Sequence, residues 1–128
     1  MMGTKVTFDT VKSIGLSLPE VEVSTAYGAP SLKLRGQLMT CPALNKSAEP
    51  DSIVVKVSFD QRDDLLREAP DIYYVTDHYV NYPSVLVRLS KIQPEVLRDL
   101  LRMSWEFVKA KEAAGKRKKR AIRKRTGN

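Results

Sequence analysis

Tyr73-Tyr-Val-Thr-Asp-His-Tyr-Val-Asn-Tyr-Pro-Ser-Val-Leu-Val-Arg-Leu89 holds four of the five tyrosines in this chain and its only histidine. It begins as a β-branched and aromatic run, breaks from Thr76 to Pro83, and resumes as an alternating strand. Val85, Val87 and Leu89 point one way, Leu86 and Arg88 the other, because successive strand side chains leave opposite faces of a sheet. An aromatic loop held between two strands is either a packed corner or a recognition surface.

The same period-2 alternation recurs upstream. Val21, Val23 and Thr25 alternate with Glu22 and Ser24 in a strand running to about Tyr27. Gly28-Ala29-Pro30 reads as a turn, Ser31 to Arg35 as a short strand, Gly36-Gln37 as a two-residue hairpin turn, and Leu38 to Leu44 as the returning strand. Asn45 to Asp51 is a polar loop. Ser52 to Phe59 is the clearest strand, with Ile53, Val55, Val57 and Phe59 on one face and Val54, Lys56 and Ser58 on the other. Helical periodicity marks three further segments. Thr7 caps Phe8 to Leu18, which Pro19 ends. Asp60 caps a helix to about Ala69, closed by Pro70, with Leu65 and Leu66 inward. Pro94 opens a long final helix whose apolar stripe is Val96, Leu97, Leu100, Leu101, Ser104, Trp105 and Val108. Tight hairpins and alternation predict an α+β two-layer sandwich: an antiparallel sheet with helices on one face and water on the other.

With 128 residues the chain is long enough for one domain with its own core. Its net charge of +7 is unevenly spread. Lys109 to Arg125 holds ten basic residues and one acid, Glu112, for a net +9, which leaves residues 1–108 at −2. The division drawn from this is a domain over residues 1–112 and a basic, disordered tail over 113–128, since like charges repel and little there is apolar. No apolar run approaches the ~18 residues of a membrane span, and Met1 to Phe8 lacks an apolar signal core, so a cytoplasmic location is expected. The single cysteine, Cys41, rules out an internal disulfide and a cysteine-cluster metal site.

Several of these pieces together resemble the MmcQ/YjbR-like family of small bacterial proteins. They are Phe8 to Leu18 with Pro19-Glu20, Tyr27-Gly-Ala-Pro-Ser-Leu-Lys-Leu-Arg-Gly36, and Val55-Lys-Val-Ser-Phe-Asp60 with Arg62 and Leu65-Leu66. Tyr74-Val-Thr-Asp-His-Tyr79, Tyr82-Pro83, Val85-Leu-Val-Arg-Leu89 and Trp105 complete the match, over roughly residues 6–110. The resemblance implies the order α-β(3)-α-β(2)-α and a double-wing fold that is usually labelled DNA-binding. The same fold also resembles that of secretion chaperones.

Three patterns carry candidate chemistry. If the Leu and Val residues of the strands face the helices, then Lys33, Arg35, Lys56 and Arg88 share the open face, where four cations could track a phosphate backbone. Tyr79 and Tyr82 would add contacts from the corner, because tyrosine rings stack on bases. Lys116, Arg117, Lys118, Lys119, Arg120, Arg123, Lys124 and Arg125 would attract phosphates by counterion release, without sequence preference. Asp77-His78 is half of a nucleophilic triad, but no serine or cysteine stands in a nucleophile context, so no catalytic residue is assigned. One histidine with scattered carboxylates is too little for a metal. The expectation is a non-catalytic DNA-binding protein without cofactor, monomeric or weakly dimeric. The alternative is a protein-interaction or chaperone-like module using the same sheet face.

Overall fold

The computed structural model describes the backbone of residues 5–126 and the side chains of residues 5–115. In chain order the elements are α1 (Phe8–Gly15), β1 (Val21–Ala26), β2 (Ala29–Leu34), β3 (Gln37–Pro42), β4 (Ser52–Lys56), α2 (Phe59–Glu68), β5 (Tyr73–Tyr74), β6 (Ser84–Arg88) and α3 (Pro94–Thr126). The six strands form one antiparallel sheet in the order β1-β2-β3-β4-β6-β5. Four strands rather than three precede α2, and the helices cover one face of the sheet, giving the α+β architecture.

The helix-facing core is the set that alternation assigned. Leu32, Ile53, Val55, Val57, Val85, Val87 and Leu89 pack against Val11 of α1, Leu65 of α2 and Leu97, Leu100 and Leu101 of α3. A second cluster joins Leu34 and Met39 to Val108, with Trp105 against its edge. The Trp105 indole N–H donates to the Pro19 carbonyl at 2.9 Å, tying α3 to the turn after α1. Val96 is 38% exposed and lies at the margin of the α3 stripe.

Both hairpin turns fall one residue earlier than the sequence reading places them. Tyr27-Gly28 and Arg35-Gly36 are the two-residue loops, bounded by the pairs Ala26↔Ala29 and Leu34↔Gln37. All four residues have positive φ (54°, 78°, 50° and 81°), as a two-residue hairpin matching strand twist requires. β4 likewise stops short of Phe59. Ser58 caps α2 instead of Asp60: its hydroxyl accepts from the Gln61 N–H at 3.1 Å, and the Gln61 side chain accepts from the Ser58 N–H at 2.9 Å. This reciprocal capping box makes Phe59 the first helical residue and leaves it 45% exposed.

β3 carries a bulge. Leu32 pairs with Thr40 and Lys33 with Leu38, so Met39 is an extra residue without a partner on β2. Met39 and Thr40 are both fully buried, and Met39 belongs to the helix-side cluster. The bulge reverses the alternation of β3 between them, placing Leu38 and Cys41 on the open face.

The backbone of α3 continues unbroken to Thr126, through the segment read as a disordered tail. Gly115 costs a helix only about 1 kcal/mol, and Ala, Lys and Arg are strong helix formers. No helix among the described residues is long and apolar enough to cross a membrane.

Candidate functional site

The open sheet face is not a bare polar surface. Cys41, Val54 and Leu86 lie side by side across β3, β4 and β6 and form a third apolar cluster. Two loops wall it. Residues 43–51 are held by Tyr74, whose hydroxyl accepts from the Glu49 N–H at 2.8 Å and pairs with Ser52 Oγ at 2.6 Å. Tyr79 accepts from the Asn45 N–H at 3.4 Å, and Ser47 Oγ meets Thr76 Oγ1 at 2.8 Å, so the two loops are joined. The aromatic corner therefore has a structural task. The second loop, residues 75–83, is anchored by Arg62 of α2: its Nη1 donates to the carbonyls of Val80 at 3.0 Å, Tyr82 at 3.1 Å and Ser84 at 3.5 Å.

Between these loops and the Tyr27-Gly28 turn lies a cavity of about 480 Å³. Leu38, Cys41, Pro42, Leu44 and Val54 make its apolar surface. Tyr27, Tyr79, Tyr82 and His78 supply aromatic rings, and Lys56, Asn45 and Ser84 the polar groups. Lys56 also lines an adjoining depression of about 620 Å³ that reaches Lys111 and Glu112 on α3. Burial pushes the Lys56 ammonium below the usual lysine range and Lys111 repels it further, while Cys41 partly opposes the change. Burial pushes the Cys41 thiol up, away from thiolate, with Lys56 acting in the other direction. Cys41 and His78 line the same cavity, but no hydrogen bond joins them among the described residues. Nor, among those residues, does any group of three or more metal-ligating side chains converge.

The four cations assigned to the open face do not act as a stripe. Arg88 is consumed: Nε and Nη2 grip the Glu49 carboxylate at 2.9 and 2.7 Å, and Nη1 donates to the Pro70 and Asp71 carbonyls at 3.1 Å each. Its guanidinium also stacks on the Tyr74 ring, 4.3 Å from the centroid. Arg35 sits in a hairpin turn, bonded to Glu20 through Nε at 2.7 Å and 3.8 Å from Glu112 through Nη1. Lys33 stands opposite Glu22 in the β1–β2 register. The structure thus brings Lys56, Tyr79 and Tyr82 together and disperses Lys33, Arg35 and Arg88. The side chains of Lys116, Arg117, Lys118, Lys119, Arg120, Arg123, Lys124 and Arg125 lie outside the described residues. Sequence reasoning missed Tyr27, Leu38, Cys41 and Leu44 as site residues. For Tyr27 a signal existed, an aromatic residue directly before a turn glycine.

Comparison with known proteins agrees with this architecture. A solved structure of the Deinococcus radiodurans protein DR2400, carrying the family-model domain DUF419, superposes with a TM-score of 0.61 at 20% identity, over 81% of this chain and 80% of that one. A 41-residue stretch is 39% identical to the uncharacterized proteins Rv2570 of Mycobacterium tuberculosis and Mb2600 of Mycobacterium bovis. That match covers 32% of this chain and 32% of each relative. The YjbR family model matches residues 16–107, which hold all six strands, α2 and the start of α3, and the chain belongs to the YjbR family.

Proposed function

We propose that this protein binds DNA without catalysing a reaction on it, through the C-terminal half of α3 and not through the sheet face. One observation carries the reading. The helical backbone of α3 runs on to Thr126, and the chain from Lys109 to Arg125 has a net charge of +9. Five consecutive cations, Lys116 to Arg120, span more than one helical turn, so no single helix face is favoured. Such a segment suits phosphate contact by counterion release, which gives affinity and fast encounter but little base preference. Arg35 and Arg88, already paired with carboxylates, contribute little to it.

The test is a salt titration of duplex DNA binding by fluorescence anisotropy. The full-length protein is compared with a variant in which the eight cations from Lys116 to Arg125 are replaced by glutamine, a helix former. Each phosphate contact contributes about −0.9 to the slope of log K against log salt, so the variant should lose roughly three units of slope or more. Arg35→Ala and Arg88→Ala should leave the slope within about half a unit. An unchanged slope in the glutamine variant would refute the proposal.

A protein-interaction role for the sheet face is the second reading. Its support is the group of exposed apolar side chains around the cavity, Tyr27, Leu44 and Tyr82.

A further inference from the structure

We infer that the open-face cavity is a binding site for a small amphipathic monoanion, a carboxylate carried on an aromatic or aliphatic body, with Lys56 as its counter-ion. This does not rest on DNA binding, which involves a different part of the chain.

The size of the cavity, about 480 Å³, lies in the range that encloses small ligands. Its surface is mostly apolar, and a few polar groups converge on it, the usual composition of a small-molecule site. The decisive feature is Lys56. It is half-buried, and among the described residues no carboxylate lies within ion-pair distance of it and no side-chain hydrogen bond engages it. A cation drawn partly out of water without a partner is costly, and a methionine of similar length would fill the same space. A ligand carboxylate would complete it. The neighbouring cation, Lys111, reinforces attraction for an anion, whereas the nearby Glu112 faces Arg35. The same features select a monoanion: Lys56 is the one lysine or arginine among the described residues lining this cavity, enough charge to balance a carboxylate but not a phosphate dianion.

Tyr27 adds an aromatic surface to the site. It is 85% exposed and borders both cavities. The hairpin turn, which requires its positive φ, sets the ring at the cavity mouth, where a ligand body would pack.

The test is a titration of the uniformly ¹⁵N-labelled full chain with 4-phenylbutyrate and with its neutral counterpart 4-phenylbutan-1-ol, followed by amide shifts. Saturable shifts should centre on Leu38, Cys41, Val54, Lys56 and Tyr79. The carboxylate should bind with Kd on the order of 1 mM, about tenfold more tightly than the alcohol. Lys56→Met should abolish that difference and keep alcohol binding, while Tyr27→Ala should weaken both ligands alike. If Lys56→Met loses the dispersed spectrum of the folded chain, Lys56→Gln takes its place. Equal binding of acid and alcohol to the unaltered protein would overturn the inference. So would shifts outside the cavity, or none that saturate.

Discussion

Replacing Arg62 with methionine should destabilise the protein by about 3 kcal/mol. Arg62 is 8% exposed, and from α2 its Nη1 reaches the corner loop. Two of its bonds, to Val80 and Tyr82, are at 3.0 and 3.1 Å; the third, to Ser84, is at the limit at 3.5 Å. Hydrogen bonds from a charged donor are each worth roughly 1.5–3 kcal/mol, so the two short ones supply about 3–6 kcal/mol. Phe59, 4.9 Å from the guanidinium, adds up to about 1 kcal/mol of cation–π attraction that methionine loses. Against this, the variant no longer buries a guanidinium whose Nε lacks a partner, which returns roughly 1–3 kcal/mol. The balance is about 3 kcal/mol, measurable by urea unfolding followed by circular dichroism at a fixed m-value. The amides of Val80, Asn81, Tyr82 and Ser84 should also exchange faster, because the loop loses its anchor. Arg62→Lys, one bond shorter but still a charged donor, should recover part of the loss. A cost below about 1 kcal/mol with unchanged exchange would show that the loop is held by its tyrosines and not by Arg62.

Glu49 should govern part of the acid sensitivity. The hydrogen bond from Arg88 holds its carboxyl below its ordinary 4.5, so the unfolded chain takes up that proton first. The contribution is complete above 4.5 and is lost as pH falls through the lower folded value. Glu49→Gln should flatten the stability curve in that acid window, and an unaltered acid limb in urea unfolding would refute it. Lys56→Met should raise Tm at neutral pH, because burial disfavours the ammonium it removes. The gain should shrink as pH rises toward 10.5, where the lysine of the unaltered protein also becomes neutral; a lower Tm at pH 7 would contradict this. Gly15→Ala should destabilise by about 1 kcal/mol: the new Cβ would collide with Leu32 Cδ1, an overpacking cost of ~1–3 kcal/mol less about 1 kcal/mol of helix propensity. A rise in Tm would mean that Leu32 repacks freely.

The elements were legible where one local signal prevailed. Thr7, Pro94 and the β4 alternation mark their segments, and the valines and leucines assigned to the helix face are buried there. The errors arise where two local signals compete. Ile53, Val55, Val57 and Phe59 continue a strand pattern, but Ser58 to Gln61 is a capping box, and satisfying the helix N-terminus prevailed. In the two hairpins the sequence pattern puts glycine at the start of the turn. The two-residue loop requires positive φ at both central positions, and glycine occupies the second.

The site was less legible because its contents depend on distant partners. Pleat alone places Lys56 and Arg88 away from the helices, but it cannot reveal that Glu49, 39 residues from Arg88 along the chain, returns to grip it. Nor does alternation anticipate a bulge. With one extra residue at Met39, Leu38 and Cys41 turn to the open face and join Val54 and Leu86 under two loops. An expected strip of cations thereby becomes an apolar cavity with one lysine in its wall. A phosphate backbone requires several cations spaced along a surface, whereas a single half-buried ammonium beside aromatic rings suits one small anion. The cations suited to a backbone are concentrated in the last turns of α3, so the two proposed kinds of binding fall on different parts of the chain. Substitution at Lys56 and in the α3 extension should therefore affect carboxylate and DNA binding independently.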